Sequence, residues 1–124
     1  MAKNKGMGTL TRVLAAAAMS SFIMIGQASA EPVKLGVLTD MAGPFADLSG
    51  KGSVEAARLA IEDFGGEVLG EKIELVFADH QQKPEIGLNV ARKWLEQEHV
   101  DVILDVPNSG IALAVSNLVK QLNK

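Results

Sequence analysis

The chain has 124 residues with 12 basic and 15 acidic side chains, and its basic residues are not clustered as they are in proteins that bind nucleic acid or anionic membranes. It contains no cysteine, which excludes disulfides, thiolate metal sites, a cysteine nucleophile and the lipid-modified cysteine that tethers many exported bacterial proteins. We therefore expect a protein that is not itself membrane-anchored and does not bind nucleic acid, and no motif indicates a cofactor.

The first thirty residues have the features of a secretory signal peptide. Three basic residues precede an apolar stretch over 13–25, and the sequence Ala-Ser-Ala that ends at Ala30 has the small-x-small pattern of a cleavage site. The apolar stretch is shorter than the roughly 20 residues that cross a bilayer. We expect cleavage between Ala30 and Glu31, export to a bacterial periplasm, and a mature part with a net charge of −6 from nine basic and 15 acidic side chains.

Three strands and three helices alternate in the mature part. Apolar segments rich in β-formers predict the strands, and apolar residues at i, i+3 and i+4 spacing predict the helices. The predicted strands are 33–39, 72–78 and 100–106, and the predicted helices run from about Ser53 to Phe64, from Pro84 to about Glu98, and from about Ile111 to the end. Five residues form the inward face of the first helix: Val54, Ala57, Ala60, Ile61 and Phe64. Trp94 is expected in the core.

This β-α-β-α-β-α order predicts an α/β fold. With right-handed crossovers, the chain forms part of a doubly wound parallel sheet with helices on both faces, a three-layer αβα arrangement. Three strands are few, and the third would leave an apolar edge unpaired. We therefore expect residues 31–124 to be the first part of a larger lobe, truncated in this chain.

Three loops follow the strands at the sheet edge where open α/β folds bind ligands: 40–51, 79–83 and 107–110. The first contains Gly50-Lys51-Gly52-Ser53, but the phosphate-loop spacing requires a glycine where Phe45 stands. This mismatch argues against nucleotide binding.

The other two loops do not match catalytic or metal motifs. Ser109 follows a strand as a hydrolase nucleophile would, but "PNSGI" is not G-x-S-x-G, and no histidine follows it. Asp79 and His80 are adjacent and have no third ligand at a recognisable spacing, which argues against a metal site. The loops therefore favour a binding site over a catalytic one.

The loop after the third strand has the groups needed to bind a small polar solute. Asn108 and Ser109 offer an amide and a hydroxyl, and Gly110 opens a helix whose free N–H groups suit a carboxylate. Asn108 or Ser109 can also cap this helix, and one can cap while the other contacts the ligand. In the first loop, Pro44 and Phe45 can form an apolar wall or simply pack within the loop.

The mature sequence resembles the type I periplasmic solute-binding proteins of ABC importers, the group that includes the leucine/isoleucine/valine-binding proteins. The resemblance rests on the order and spacing of "EAARLAIED", "IELVFAD" and "DVILDVPNS" along residues 31–124. It implies the first half of the N-terminal lobe of a two-lobed protein that closes on its ligand in a cleft. It also places Phe45, Asp47 and Leu48 of the first loop, and Asn108 and Ser109 of the third, beside that cleft.

The resemblance implies a non-enzymatic partner of ABC permease subunits that binds a small solute. Amino-acid binders often have several serines after the third strand, where this chain has Pro107-Asn108-Ser109. A branched-chain amino acid, an amide or urea-like solute and an aromatic acid therefore all stay open. The alternatives are the ligand-binding domain of a sensory receptor or regulator, and an exported α/β hydrolase.

Overall fold

The computed structural model describes residues 31–124, and the predicted signal peptide with Ala30 lies outside the described residues. Strands and helices alternate as the apolar pattern predicts, with one addition. The elements are β1 (Lys34–Thr39), α1 (Gly50–Phe64), β2 (Glu67–Val68), β3 (Glu71–Lys72), β4 (Glu74–Asp79), α2 (Pro84–Glu96), β5 (Val102–Leu104) and α3 (Ser109–Gln121). No helix within 31–124 is both long and apolar enough to cross a membrane.

The main sheet is parallel, with β1 at its centre between β4 and β5. Leu35 is opposite Leu75 on one side and Val102 on the other, which sets the register of the three strands. β5 has three residues and is shorter than the predicted 100–106, because Asp105 has a left-handed φ of 52° that takes the backbone out of the ladder. Because all three strands are parallel, their carboxyl ends lie at one edge of the sheet.

A short antiparallel hairpin, β2 with β3, was not predicted from the sequence. Its two-residue turn consists of Leu69 and Gly70, which have φ angles of 53° and 84°, as the turns favoured in tight hairpins require. Because Lys72 belongs to this hairpin, the second strand of the main sheet begins at Glu74, two residues later than predicted.

The hydrophobic core lies between the sheet and the helix pair α2 and α3. It is formed by Leu38, Ala91, Trp94, Leu95, Val100, Ile111, Val115 and Leu118. The predicted core position of Trp94 is confirmed, since its side chain is 5% exposed. A Cβ at Gly36 would lie 2.7 Å from the Trp94 ring, so the indole packs where β1 has no side chain. This close packing fixes α2 against the centre of the sheet.

The other face of the sheet carries α1, which completes the three-layer αβα order. Its main contacts are with β1 and β4. The predicted inward positions of Ala60 and Phe64 are wrong, because both side chains are exposed, that of Phe64 by 68%. Phe64 lies in the last turn of α1, directly before the left-handed Gly65 that ends the helix. The three-stranded sheet gives this turn no surface to pack on among the described residues.

Candidate functional site

The candidate site is the sheet edge at the carboxyl ends of β1, β4 and β5, where the three loops meet. Two depressions lie near it. The larger, about 600 Å³, is mostly apolar and lies between α1 and β4, with Val54 and Phe77 in its wall. The smaller, about 210 Å³, lies between the first two loops and is lined by Asp40, Gly43, Gln82 and others. Charged residues also border the larger depression, namely Lys51, Glu55 and Arg58, and Asp79 borders both.

Asp40 organises the first loop. It directly follows β1 and is fully buried, and its Oδ1 accepts the Gly43 N–H at 2.7 Å while its Oδ2 accepts the Phe45 N–H at 3.0 Å. A Cβ at Gly43 would lie 2.6 Å from the carboxylate oxygens, so this close approach requires glycine. The carboxylate therefore folds the loop onto the end of its own strand.

The Asp40 carboxyl is held in its ionised form. Burial raises its pKa, but hydrogen bonds from the Phe45 and Gly43 N–H groups, the Gln82 side chain and the Ala42 N–H outweigh that effect. The net result is a pKa below the ordinary 3.8. At neutral pH the group is an acceptor only, which decides the direction of the hydrogen bonds around it.

A chain of side-chain hydrogen bonds connects the three loops. Gln82, from the loop after β4, donates from Nε2 to Asp40 Oδ2 at 2.8 Å. Its Oε1 accepts from Asn108 Nδ2 at 2.7 Å, and Asn108 Oδ1 accepts the Ile111 N–H at 3.0 Å. We call Asp40, Gln82 and Asn108 the amide bridge. It couples residues that are 42 and 26 positions apart in sequence.

A second cluster centres on Thr39, the last residue of β1. Its hydroxyl donates to Asp105 Oδ2 at 2.8 Å and accepts the Gly50 N–H at 3.0 Å. The Ser49 hydroxyl lies 3.1 Å from Thr39 Oγ1 and donates to the Phe45 carbonyl at 3.0 Å. Thr39 therefore connects the start of α1 to the residue that ends β5.

Two non-glycine residues at this edge have a left-handed backbone conformation. Gln81 and Gln82 have left-handed φ angles of 51° and 55°. Asp79 Oδ1 accepts the Gln81 N–H at 2.8 Å, and the fully buried His80 accepts the Gln82 N–H on Nδ1 at 3.1 Å. Such conformations persist only where the surroundings hold them, and here both side chains of the preceding Asp-His pair do so. His80 is thus a structural core residue.

The N-terminus of α3 presents donors to solvent. Asn108 caps the helix through Ile111 N–H, so of the two roles expected for Asn108 and Ser109, the capping one falls to Asn108. Ser109 and Gly110 are exposed, and no partner for their N–H groups or for the Ser109 hydroxyl is found within 31–124. A helix start with free N–H groups carries a partial positive charge that suits a carboxylate.

The predicted residues of the first loop differ from one another. Phe45 is half-buried, and its N–H is tied to Asp40 and thus to the amide bridge. Asp47 and Leu48 are exposed, Leu48 by 84%. Hydrogen bonds therefore connect the Phe45 N–H to Asn108 through Asp40 and Gln82. A ligand contact by any of the residues predicted from the sequence stays a prediction.

Sequence reasoning missed four residues of this edge: Thr39, Asp40, Gln82 and Asp105. One indication was available, because an aspartate that directly follows a strand and precedes a glycine three residues later is typical of a turn closed by its own side chain. Gln82 and Asp105 gave no such indication, since their partners are distant in sequence. Among residues 31–124, no cluster of His, Asp or Glu side chains is suited to hold a metal ion.

Three known proteins are similar to this chain. The solved structure of a branched-chain amino acid ABC transporter periplasmic ligand-binding protein from Burkholderia xenovorans is 55% identical, with a TM-score of 0.72 over 74% of this chain and 25% of that one. A solute-binding protein of an ABC transporter from R. palustris, solved with benzoate, is 26% identical with a TM-score of 0.63 over 73% and 25%. The Leu/Ile/Val-binding protein homolog 3 of Brucella melitensis is 27% identical over 89% of this chain and 30% of its own length.

The chain thus spans less than a third of the length of these relatives. Their fold is the three-layer αβα arrangement found here, with a parallel sheet and helices on both faces. The family model described as "Periplasmic binding protein" matches residues 32–124, which is all but one of the described residues. The chain belongs to the periplasmic binding protein family.

Proposed function

We propose that residues 31–124 are the first part of the N-terminal lobe of an extracytoplasmic solute-binding protein, which delivers a small carboxylate-bearing solute to ABC permease subunits. The observation that carries this proposal is the exposed N-terminus of α3, held in place by the amide bridge at the sheet edge where open α/β folds bind ligands. In this proposal the protein is exported to the periplasm by the segment that ends at Ala30.

The chemistry of this edge fits an anionic group beside an apolar one. The Ser109 and Gly110 N–H groups and the Ser109 hydroxyl can donate to a solute carboxylate, and the positive end of α3 favours its charge. The half-buried Phe45 offers an apolar contact. The opposite wall would come from a second lobe, whose closure excludes water and strengthens these few oriented hydrogen bonds.

The relatives narrow the class of solute. Two are named for branched-chain amino acids, and a third was solved with benzoate. These solutes share a carboxylate joined to an apolar group; in the proposal the start of α3 at Ser109 binds the carboxylate, and Phe45 is the candidate for the apolar contact. We therefore favour branched-chain amino acids and aromatic acids over urea-like solutes, which lack the charge that a helix N-terminus stabilises.

Calorimetry on the full-length protein tests the proposal, with L-leucine, L-valine, benzoate, acetamide and urea as the solutes. We expect a carboxylate solute to bind and Ser109→Ala to weaken it about tenfold, the cost of one hydrogen bond to a charged group. Ser116→Ala is the matched control, because Ser116 is also exposed on α3 but lies two turns from its N-terminus.

Two outcomes would contradict the proposal. One is binding of the neutral amides with no binding of any carboxylate. The other is an equal effect of the Ser109 and Ser116 substitutions. A ligand-free melting temperature lowered by Ser109→Ala would indicate a structural role instead.

A further inference from the structure

Gln82 lies in the second loop, and its side-chain amide hydrogen-bonds to both the first and the third loop. Its Nε2 lies 2.8 Å from Asp40 Oδ2 and its Oε1 lies 2.7 Å from Asn108 Nδ2. The side chain is half-buried, whereas that of the neighbouring Gln81 is exposed. No motif pointed to Gln82, and it does not itself supply a donor at the exposed start of α3.

The direction of the amide bridge is fixed from both ends. At one end the Ile111 N–H can only donate, so Asn108 must turn its oxygen toward it and its NH₂ toward Gln82. At the other end the Asp40 carboxylate can only accept, so Gln82 must turn its NH₂ toward Asp40 and its oxygen toward Asn108. The two requirements agree, and both amides are held in one orientation.

The backbone of Gln82 is held as firmly as its side chain. Its φ of 55° is left-handed, and its N–H donates to Nδ1 of the buried His80 at 3.1 Å. The adjacent β4 ends at Asp79, whose carboxylate fixes the preceding turn through the Gln81 N–H. The amide of Gln82 is therefore presented by a preorganised turn, and little conformational freedom is lost when it bonds to its partners.

We infer that Gln82 is a positioning residue for solute recognition: it locks the Asn108 amide, and through that cap the first turn of α3 with the donors of Ser109 and Gly110. This inference rests on the proposed function for its ligand part. Its structural part, the orientation of the Asn108 cap, stands on the hydrogen bonds alone.

Two substitutions of Gln82 and one control distinguish its role in orienting the Asn108 amide from a role in filling space. Gln82→Ala removes both hydrogen bonds. Gln82→Glu keeps the length and the acceptor, but when ionised it sets a carboxylate against that of Asp40. Gln81→Ala is the control, because Gln81 has nearly the same φ, 51°, and an exposed side chain with no hydrogen bond within 31–124.

The first measurement needs no solute. Hydrogen exchange of the Ile111 N–H, followed by NMR in the full-length protein, reports whether the Asn108 oxygen still faces it. We expect exchange about fivefold faster in Gln82→Ala than in wild type, the value of one net hydrogen bond of about 1 kcal/mol, and no change in Gln81→Ala. Equal exchange in the two alanine variants would overturn the inference.

The second measurement is the affinity for L-leucine and benzoate between pH 7.5 and 5. In Gln82→Glu we expect about tenfold weaker binding than wild type at pH 7.5. The ratio of the variant's dissociation constant to that of wild type should return toward one as the pH falls. The reason is that a protonated carboxyl can donate to Asp40 and still accept from Asn108, and close carboxylates raise the pKa of one of the pair. In Gln82→Ala the ratio should stay constant with pH.

A role of Gln82 in bulk packing alone predicts no recovery at low pH, and a pH-independent ratio in Gln82→Glu would overturn the ligand part. If neither solute binds the wild-type protein, the proposed solute class fails. The exchange of Ile111 then still decides whether Gln82 holds the cap.

Discussion

The carboxyl end of β4 and the face of β4 toward α1 differ in how their side chains are partnered. At its carboxyl end, the Gln82 side chain hydrogen-bonds to Asp40 of the first loop at 2.8 Å and to Asn108 of the third loop at 2.7 Å. On its α1 side, Phe77 is 55% exposed beside a depression of about 600 Å³, and Leu59 and Phe64 of α1 are also exposed. The first region is joined to its neighbours by side-chain hydrogen bonds, whereas the second presents apolar side chains to solvent.

The two regions therefore differ in what stabilises them. At the polar edge, the Asp40 carboxylate and the Gln82 and Asn108 amides are paired with one another, and the loss of one partner leaves a polar group unpaired. The buried Nε2 of His80 has no hydrogen-bond partner within 31–124. On the α1 side, substitutions at the exposed Leu59, Phe64 and Phe77 remove little buried area, whereas Val54 is buried. The site we propose lies on the hydrogen-bonded side, where side chains are oriented before a ligand binds.

The largest expected effect comes from Gly50, where α1 joins the polar edge. Its φ is 52°, and a Cβ there would lie 2.8 Å from the Asp40 carbonyl oxygen. We expect Gly50→Ala to destabilise the full-length protein by about 2–3 kcal/mol, from the left-handed conformation and the forced displacement of the backbone. Urea denaturation measures this free energy of unfolding.

Gly52→Ala is the matched control for Gly50. A Cβ at Gly52 meets no atom within 4 Å, and the residue lies in α1, so alanine should stabilise the protein by up to about 1 kcal/mol. Equal effects of the two substitutions would mean that the junction between α1 and the first loop is not constrained as described.

A smaller effect, and one that depends on pH, is expected at Asp40. Its pKa is lowered in the folded protein, so its ionised form contributes stability above the ordinary value of 3.8. That contribution is lost as the pH falls through the lowered pKa. We therefore expect Asp40→Asn to be less stable than wild type at pH 7, and the difference between them to shrink below pH 3.8.

Urea titrations at a series of pH values check this expectation, and Asp47→Asn is the control because its side chain is exposed in the same loop. A difference between Asp40→Asn and wild type that persists unchanged at pH 2.5 would show that shape, not charge, is what the loop needs. The polar edge would then be no more pH-sensitive than the α1 side.

Much of the fold could be predicted because its causes are local in sequence. The helix that begins at Pro84 and the stop at Gly65 follow from backbone preferences of single residues, and the core position of Trp94 follows from helical spacing. The hairpin at Leu69-Gly70 was not predicted, because leucine is not a residue that favours φ above zero. Phe64 was misplaced because periodicity tells which residues share a helix face but not how far the opposing sheet extends.

The candidate site was predictable only in part. The position of Asn108 between a strand and a helix indicated a cap, and the exposed Ser109 and Gly110 follow from it. Gln82 and Asp105 could not be found, because their roles depend on left-handed backbones and on partners 26 to 66 residues away. Pairings of this kind are set by the sheet order, which places β1 between strands that are remote in sequence.

The smallest expected effect is on the α1 side and sharpens the contrast with the polar edge. Phe64 is 68% exposed and ends α1, so Phe64→Ser removes little buried apolar surface among the described residues. If no further part of the full-length protein covers it, the free energy of unfolding should change by no more than about 0.5 kcal/mol. A loss of 2 kcal/mol or more, on the scale of a buried aromatic side chain (about 3–5 kcal/mol), would show that residues beyond 31–124 pack on this face. Because Val54 is buried on the same helix, Val54→Ser is the control that should destabilise in either case.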